Sequence, residues 1–231
     1  MPTQYEEMRS ERSLTVDIPA DVHLQADLHI PEELRGVVLF AHGSGSSRHS
    51  PRNQEVAREL NRIGLATVLL DLLTESEEAI DEHNGRLRFD VDLLARRLLY
   101  AVVWIGRQPA LRRVKLGCFG ASTGAAAALL AASETRQIAA VVSRGGRPDL
   151  AGSALARVHA PTLLIVGERD TEVLALNREA MAGMPAKTRL EIIPGATHLF
   201  EEPGALQQVA ALAQRWFERW LPSRRPARQV A

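Results

Sequence analysis

From residue 36 onward, short uninterrupted runs of Val, Ile and Leu alternate with longer stretches in which apolar residues recur every three or four positions. Continuous apolar runs suit strands buried on both faces, and the three-to-four recurrence suits helices with one buried side. Six such strands are predicted: GVVLFAHG (36–43), GLATVLLD (64–71), VKLGCFG (114–120), IAAVVS (138–143), PTLLIVG (161–167) and RLEIIPG (189–195). Between them Val56, Leu60 and Ile63 share a helical face that stops at Gly64, and Leu93, Leu94, Leu98, Val102 and Ile105 form a stripe ending at Gly106. A last helix carries Leu206, Val209, Ala213, Trp216, Phe217 and Trp220, aromatic residues for which core packing is the expected role. Ahead of these elements, SLTVDIPADVHLQADLHIP alternates about Pro19-Ala20-Asp21 and predicts an antiparallel hairpin on the sheet edge. Together they predict an α/β fold: a mostly parallel eight-stranded sheet with helices on both faces.

The 231 residues, 45% hydrophobic and 24% charged, suffice for one sizeable core, and no linker-like composition divides them. One domain over 1–231 is expected, with about 1–12 and 222–231 as flexible tails. Twenty-eight basic residues balance twenty-eight acidic ones, so charge points to neither nucleic acid nor an anionic membrane as partner. The opening MPTQYEEMRSERSL lacks the layout of a secretory signal, and no apolar run reaches the roughly eighteen residues of a membrane span. The single cysteine, Cys118, lies inside a strand and reads as a small buried hydrophobe. A cytoplasmic location is the expectation that follows.

At 120–124 the chain reads Gly-Ala-Ser-Thr-Gly, directly after the strand VKLGCF and directly before the helical run AAAALLAAS. A Ser on a sharp strand-to-helix turn needs small neighbours, and the helix beginning there turns unpaired N–H groups toward its hydroxyl. Ser122 is therefore the candidate nucleophile, and the N–H of Thr123 one candidate donor to a developing oxyanion. A serine needs a general base held in one tautomer by a carboxylate. Among seven histidines, His23 and His29 fall in the hairpin, His83 in a polar loop, and His159 at the N-terminal end of its strand. His198, in PGATHLF, follows the last strand at the edge where such sites form, and is the candidate base. Asp170, closing LLIVGERD after the adjacent strand, is the candidate acid; Glu168 and Asp149 are alternatives, and Asp170 could also cap the following helix. The loop His42-Gly43-Ser44-Gly45-Ser46-Ser47 after GVVLF can supply a second oxyanion donor, with His42 organising the loop. It lacks the lysine of a phosphate-binding loop, so nucleotide binding is not expected. Arg48, Arg52, Arg144 and Arg147 lie near this edge, able either to bind an anion or to serve as solvated surface.

HGSGSS, GASTG, GERD and GATH, in that order and spanning roughly residues 15–221, resemble the α/β-hydrolase superfamily, and the small layout is similar to its dienelactone hydrolase branch. The resemblance implies Ser122, Asp170 and His198 as a catalytic triad and the N–H groups of Ser44 and Thr123 as the oxyanion hole; hydrolysis without a metal or organic cofactor is the expectation. Dienelactone hydrolases typically carry Cys at the elbow; Ser122 here shifts the expectation to a small carboxylic ester. A thioesterase or lactonase is the alternative within enzymes, and a non-catalytic hydrolase-like binding protein the alternative outside them. Between IAAVVS and PTLLIVG only RGGRPDLAGSALARVHA is available, too short for a large cap domain. The acidic stretch at 73–88 is expected to be a solvated loop bordering the entrance.

Overall fold

The computed structural model describes residues 12–185 and 187–221. The expected flexible tails fall outside these residues, apart from Arg12, which already opens the first strand. Eight strands form one sheet: β1 (Arg12–Ile18), β2 (Val22–His29), β3 (Gly36–Ala41), β4 (Leu65–Leu70), β5 (Leu116–Ala121), β6 (Ile138–Arg144), β7 (Thr162–Gly167) and β8 (Thr188–Ile193). Their order is β1-β2-β4-β3-β5-β6-β7-β8. β1 and β2 form the expected edge hairpin, antiparallel to each other and, through β2, to β4; all other pairings are parallel. Every residue of β3, β4, β5 and β7 is buried, as continuous apolar strands covered on both faces must be.

The described residues include six helices: α1 (Pro51–Arg62), α2 (Glu75–Asn84), α3 (Val91–Arg107), α4 (Thr123–Glu134), α5 (Thr171–Gly183) and α6 (Ala205–Trp220). On one face α3 and α4 bury Leu94, Leu98, Ile105 and Leu129 against Val37, Leu39 and Val141. On the other, α1 and α6 bury Val56, Leu60, Val209 and Phe217 against Val38, Phe40 and Phe119. Of the α6 aromatics Trp216 and Phe217 are core residues as expected, Trp216 Nε1 donating to Pro161 O at 3.3 Å, whereas Trp220 is only partly buried and packs beneath the cations of Lys187 and Arg219. The connection from β6 to β7 is a short 3₁₀-type segment, Pro148–Arg157, and the described residues include no cap domain. Among the described residues no helix is long and apolar enough to cross a membrane.

One expectation is corrected. The acidic stretch at 73–88 contains helix α2, followed by a single 3₁₀ turn at Leu87–Phe89, and His83 sits in that helix, its Nδ1 2.9 Å from Ala79 O. Apolar periodicity could not reveal this helix, because the only residue it buries is Asp81. Polar chemistry holds it instead. Thr74 and Glu77 form a reciprocal capping box, Gly85 closes the C-terminus in the left-handed region, and three glutamates occupy the positive first turn. Glu77 is in turn ion-paired to the buried Arg97 of α3.

Strand order decides where the site lies. β4 lies on one side of β3 and β5 on the other, so the loops leaving the C-terminal ends of β3 and β5 diverge and open a crevice there.

Candidate active site

Ser122 occupies the turn between β5 and α4 with φ 51° and ψ −121°, a left-handed conformation that costs a non-glycine residue about 1–3 kcal/mol. The surroundings enforce it. Ser122 N donates to Arg144 O of the neighbouring strand at 3.1 Å, and Ser122 O accepts from Ala125 N at 3.1 Å and Arg147 N at 3.3 Å. The flanking glycines are required by close approach: a β-carbon on Gly120 would collide with the backbone of Ala125, and one on Gly124 with the carbonyl oxygens of Ala41 and His42. Thr123 is the first residue of α4, so its N–H has no partner within the helix.

The acid and the histidine come together through two loops zipped at the ends of β7 and β8. Glu168 N donates to Ile193 O at 3.0 Å and Arg169 N to Ala196 O at 2.9 Å, while Gly195 N donates to Glu168 Oε2 at 2.7 Å. His198 Nδ1 then lies 2.6 Å from Asp170 Oδ2, with the acid 13% exposed and the imidazole 40% exposed. Asp170 stands at the N-cap position of α5 but makes no capping hydrogen bond with its side chain. Both alternative acids are engaged elsewhere, Glu168 with the Gly195 amide and Asp149 in a bidentate pair with Arg147 at 2.9 and 2.7 Å.

Ser122 Oγ has no hydrogen-bond partner among the described residues, so no serine–histidine bond is formed. What links them is the loop after β6. A β-carbon on Gly145 would lie 3.4 Å from His198 Cε1, and the preceding residue, Arg144, accepts the Ser122 amide. Catalytic hydrogen bonds often tighten only when substrate is bound. Asn177, fully buried on α5, holds this loop by donating to Gly146 O at 2.9 Å and to Val173 O at 2.8 Å. Sequence reasoning missed Asn177 because nothing local distinguishes it from a surface asparagine of an amphipathic helix.

The loop after β3 is pressed onto the elbow: a β-carbon on Gly43 would lie 3.1 Å from Ser122 Cβ. His42 organises that loop as expected. Its Nδ1 lies 2.9 Å from Gly43 O, and its Nε2 accepts from Leu72 N at 3.1 Å, which fixes the neutral tautomer with the proton on Nδ1. Burial pushes the His42 imidazole below its ordinary value, outweighing the Gly43 carbonyl and the charge of Asp71. The Ser44 N–H does not point free; it donates to Thr123 Oγ1 at 2.9 Å.

Beside this loop opens a cavity of about 390 Å³ whose lining includes His42, Ser44, Thr123, Leu72, Leu73 and Leu94 together with Glu78, Asp81, Glu82 and Arg88. The last four belong to α2 and the 3₁₀ turn after it. Burial, then the Asp71 charge, hold Glu78 above the usual carboxylate range. Cys118, enclosed in β5, has its thiol pushed up to about 12 by burial and takes no part. Three of the four flagged arginines are ion-paired: Arg48 with Asp71, Arg52 with Glu201 at 3.0 Å, and Arg147 with Asp149. Arg144 is buried and, among the described residues, has no carboxylate partner.

Residues 24–222 match the model of the dienelactone hydrolase family. A crystal structure of a dienelactone hydrolase from Anabaena variabilis superimposes with a TM-score of 0.90 at 54% identity, covering 93% of this chain and 99% of that one. Est1E from Butyrivibrio proteoclasticus shares the fold, with a TM-score of 0.75 at 17% identity over 91% of this chain and 98% of that one. Curated Mycobacterium tuberculosis relatives, 55% identical over 201 residues, carry a provisional phosphoribosyl transferase name; the match covers 87% of this chain but only 44% of their length.

Proposed function

The chain belongs to the dienelactone hydrolase family, and on that footing we propose that it hydrolyses small carboxylic esters through an acyl-Ser122 intermediate. The observation that carries the reading is the 2.6 Å contact of His198 Nδ1 with Asp170 Oδ2 on the same sheet edge as a serine strained into the left-handed turn. In this mechanism Asp170 keeps the His198 proton on Nδ1, leaving Nε2 free to take the Ser122 proton as Oγ attacks the ester carbonyl. Charge developing on the carbonyl oxygen meets the Thr123 N–H and the Ser44 N–H, the latter exchanging Thr123 Oγ1 for the stronger acceptor. His198 then protonates the departing alcohol. Water, activated by the same imidazole, attacks the acyl carbon and releases the acid with Ser122 restored.

The cavity beside the oxyanion loop sets the proposed substrate class. Leucines form only part of its wall, and α2 brings carboxylates to the rest, so a long acyl tail finds little apolar surface to bury. The transferase name of the Mycobacterium tuberculosis relatives belongs to proteins of which this chain spans less than half, and nothing in the elbow or the acid–histidine pair calls for that chemistry. Turnover of matched p-nitrophenyl esters, thioesters and lactones by the purified chain and by Ser122→Ala tests the proposal. Ester turnover lost in the variant is expected; a faster thioester or lactone would reassign the substrate, and turnover retained in Ser122→Ala would remove the serine from the mechanism.

A further inference from the structure

Arg144 ends β6 at the active edge, where its carbonyl accepts the Ser122 amide, so its guanidinium lies no more than one arginine side chain from the elbow backbone. The residue is 8% exposed. Nη2 reaches Asn53 Oδ1 at 3.4 Å, Nη1 has no partner, and among the described residues no carboxylate pairs with it. Burial, then the like charge of Arg52, push the guanidinium down to about 10, which still leaves it charged at neutral pH. An ion buried without its counter-ion is among the heaviest penalties a fold can carry, and the other flagged arginines avoid it.

The side chain points at the first turn of α1. There the Ser50 hydroxyl accepts the Asn53 N–H at 3.3 Å and Pro51 has no N–H, which leaves the Arg52 N–H as the donor without an intrahelical partner. The Arg52 Nε is also buried and unpartnered. Two guanidinium groups and three unpartnered donors therefore lie about the positive end of a twelve-residue helix, and among the described residues the one acid paired with them, Glu201, is 64% exposed.

We infer that Arg144, Arg52 and the first turn of α1 form a phosphate subsite once the Arg52–Glu201 pair opens, holding a phosphate group carried by the substrate whose ester is cleaved at Ser122. A dianion matches two guanidinium charges where a carboxylate matches one. With Glu201 on Arg52 the unpartnered nitrogens are closed to solvent, so entry runs through that exposed ion pair, which is weak enough to open. The inference rests on the hydrolase reading for the word substrate, but its test needs no turnover.

The test is thermal unfolding of the Ser122→Ala chain in inorganic phosphate, acetate or chloride at equal ionic strength. Phosphate should raise Tm saturably, and acetate and chloride should not. Arg144→Met, which keeps the length and removes the charge, should unfold at a higher temperature without phosphate and lose the phosphate response. Arg52→Gln, at a side chain only 32% exposed but with its Tm measured beside the parent's, should bind phosphate at least tenfold more weakly. Absence of a phosphate response, an equal response to acetate, a response kept in either variant, or an Arg144→Met chain less stable than its parent would each overturn the subsite. Failure of the wild-type chain to turn over esters would instead sink the Ser122 mechanism and leave this measurement standing.

Discussion

Replacing Asp170 by Asn changes one atom in a contact of 2.6 Å and leaves the shape of the side chain intact. If the amide oxygen faces Nδ1, the histidine keeps its tautomer but loses the negative charge that would stabilise an imidazolium. If the NH₂ group faces it, the tautomer reverses, Nε2 carries the proton and cannot accept another. Loss of the charge assistance alone is worth about 1.5–3 kcal/mol, roughly 10- to 100-fold in rate. Because Asp170 is 13% exposed, solvent replaces little of it. With the tautomer also disturbed, the fall should approach the roughly 10⁴-fold seen when such a triad loses its carboxylate, about 5.4 kcal/mol of barrier. Glu168→Gln retains an oxygen for the Gly195 amide and should lose less than about tenfold; Asp149→Asn loosens only a partly exposed pair with Arg147 and should lose less still. The assay is kcat/KM for p-nitrophenyl acetate at pH 7.5, with Tm measured on each variant to exclude unfolding. Asp170→Asn retaining more than a tenth of wild-type activity, or being less damaged than either control, would refute the assignment of the acid.

Gly124→Ala should abolish activity and lower Tm, since its β-carbon meets the carbonyls of Ala41 and His42; normal turnover would show that the elbow tolerates what the geometry forbids. Because burial lowers the folded-state pKa of His42, the unfolded chain binds protons first as acid is added. Its contribution to stability is therefore complete above about 6.5 and is lost as pH falls below that value, so the urea midpoint should drop there, and less steeply in His42→Gln. An equal slope in both chains would contradict this. Across p-nitrophenyl esters of increasing acyl length, kcat/KM should peak at short chains, because only part of the cavity wall is apolar; a maximum at long chains would contradict it.

The parallel strands, the edge hairpin and the helices with apolar faces were legible because burial on two faces or one leaves a distinct periodicity. The elbow was legible because two glycines and a serine stand between a strand and a helix, and β3 and β5 turned out to be neighbours in the sheet. Besides the buried Asn177, three features were not. Helix α2 has no apolar face to read, although its Thr74–Glu77 capping box and Gly85 terminator were present in the sequence. The competition of Thr123 Oγ1 for the Ser44 amide joins residues 79 positions apart and depends on a loop conformation. The solitude of Arg144 is a property of what surrounds it: four arginines look alike in sequence, and only packing shows that three found acids and one did not.

The central claim, that Ser122 is an activated nucleophile, is tested most directly by treating the purified chain with a fluorophosphonate and mapping the adduct by peptide mass spectrometry. A single adduct on Ser122, absent from Ser122→Ala and formed far more slowly in Asp170→Asn, is the predicted result. No adduct on Ser122, or modification of Ser46 or Ser47 instead, would contradict it.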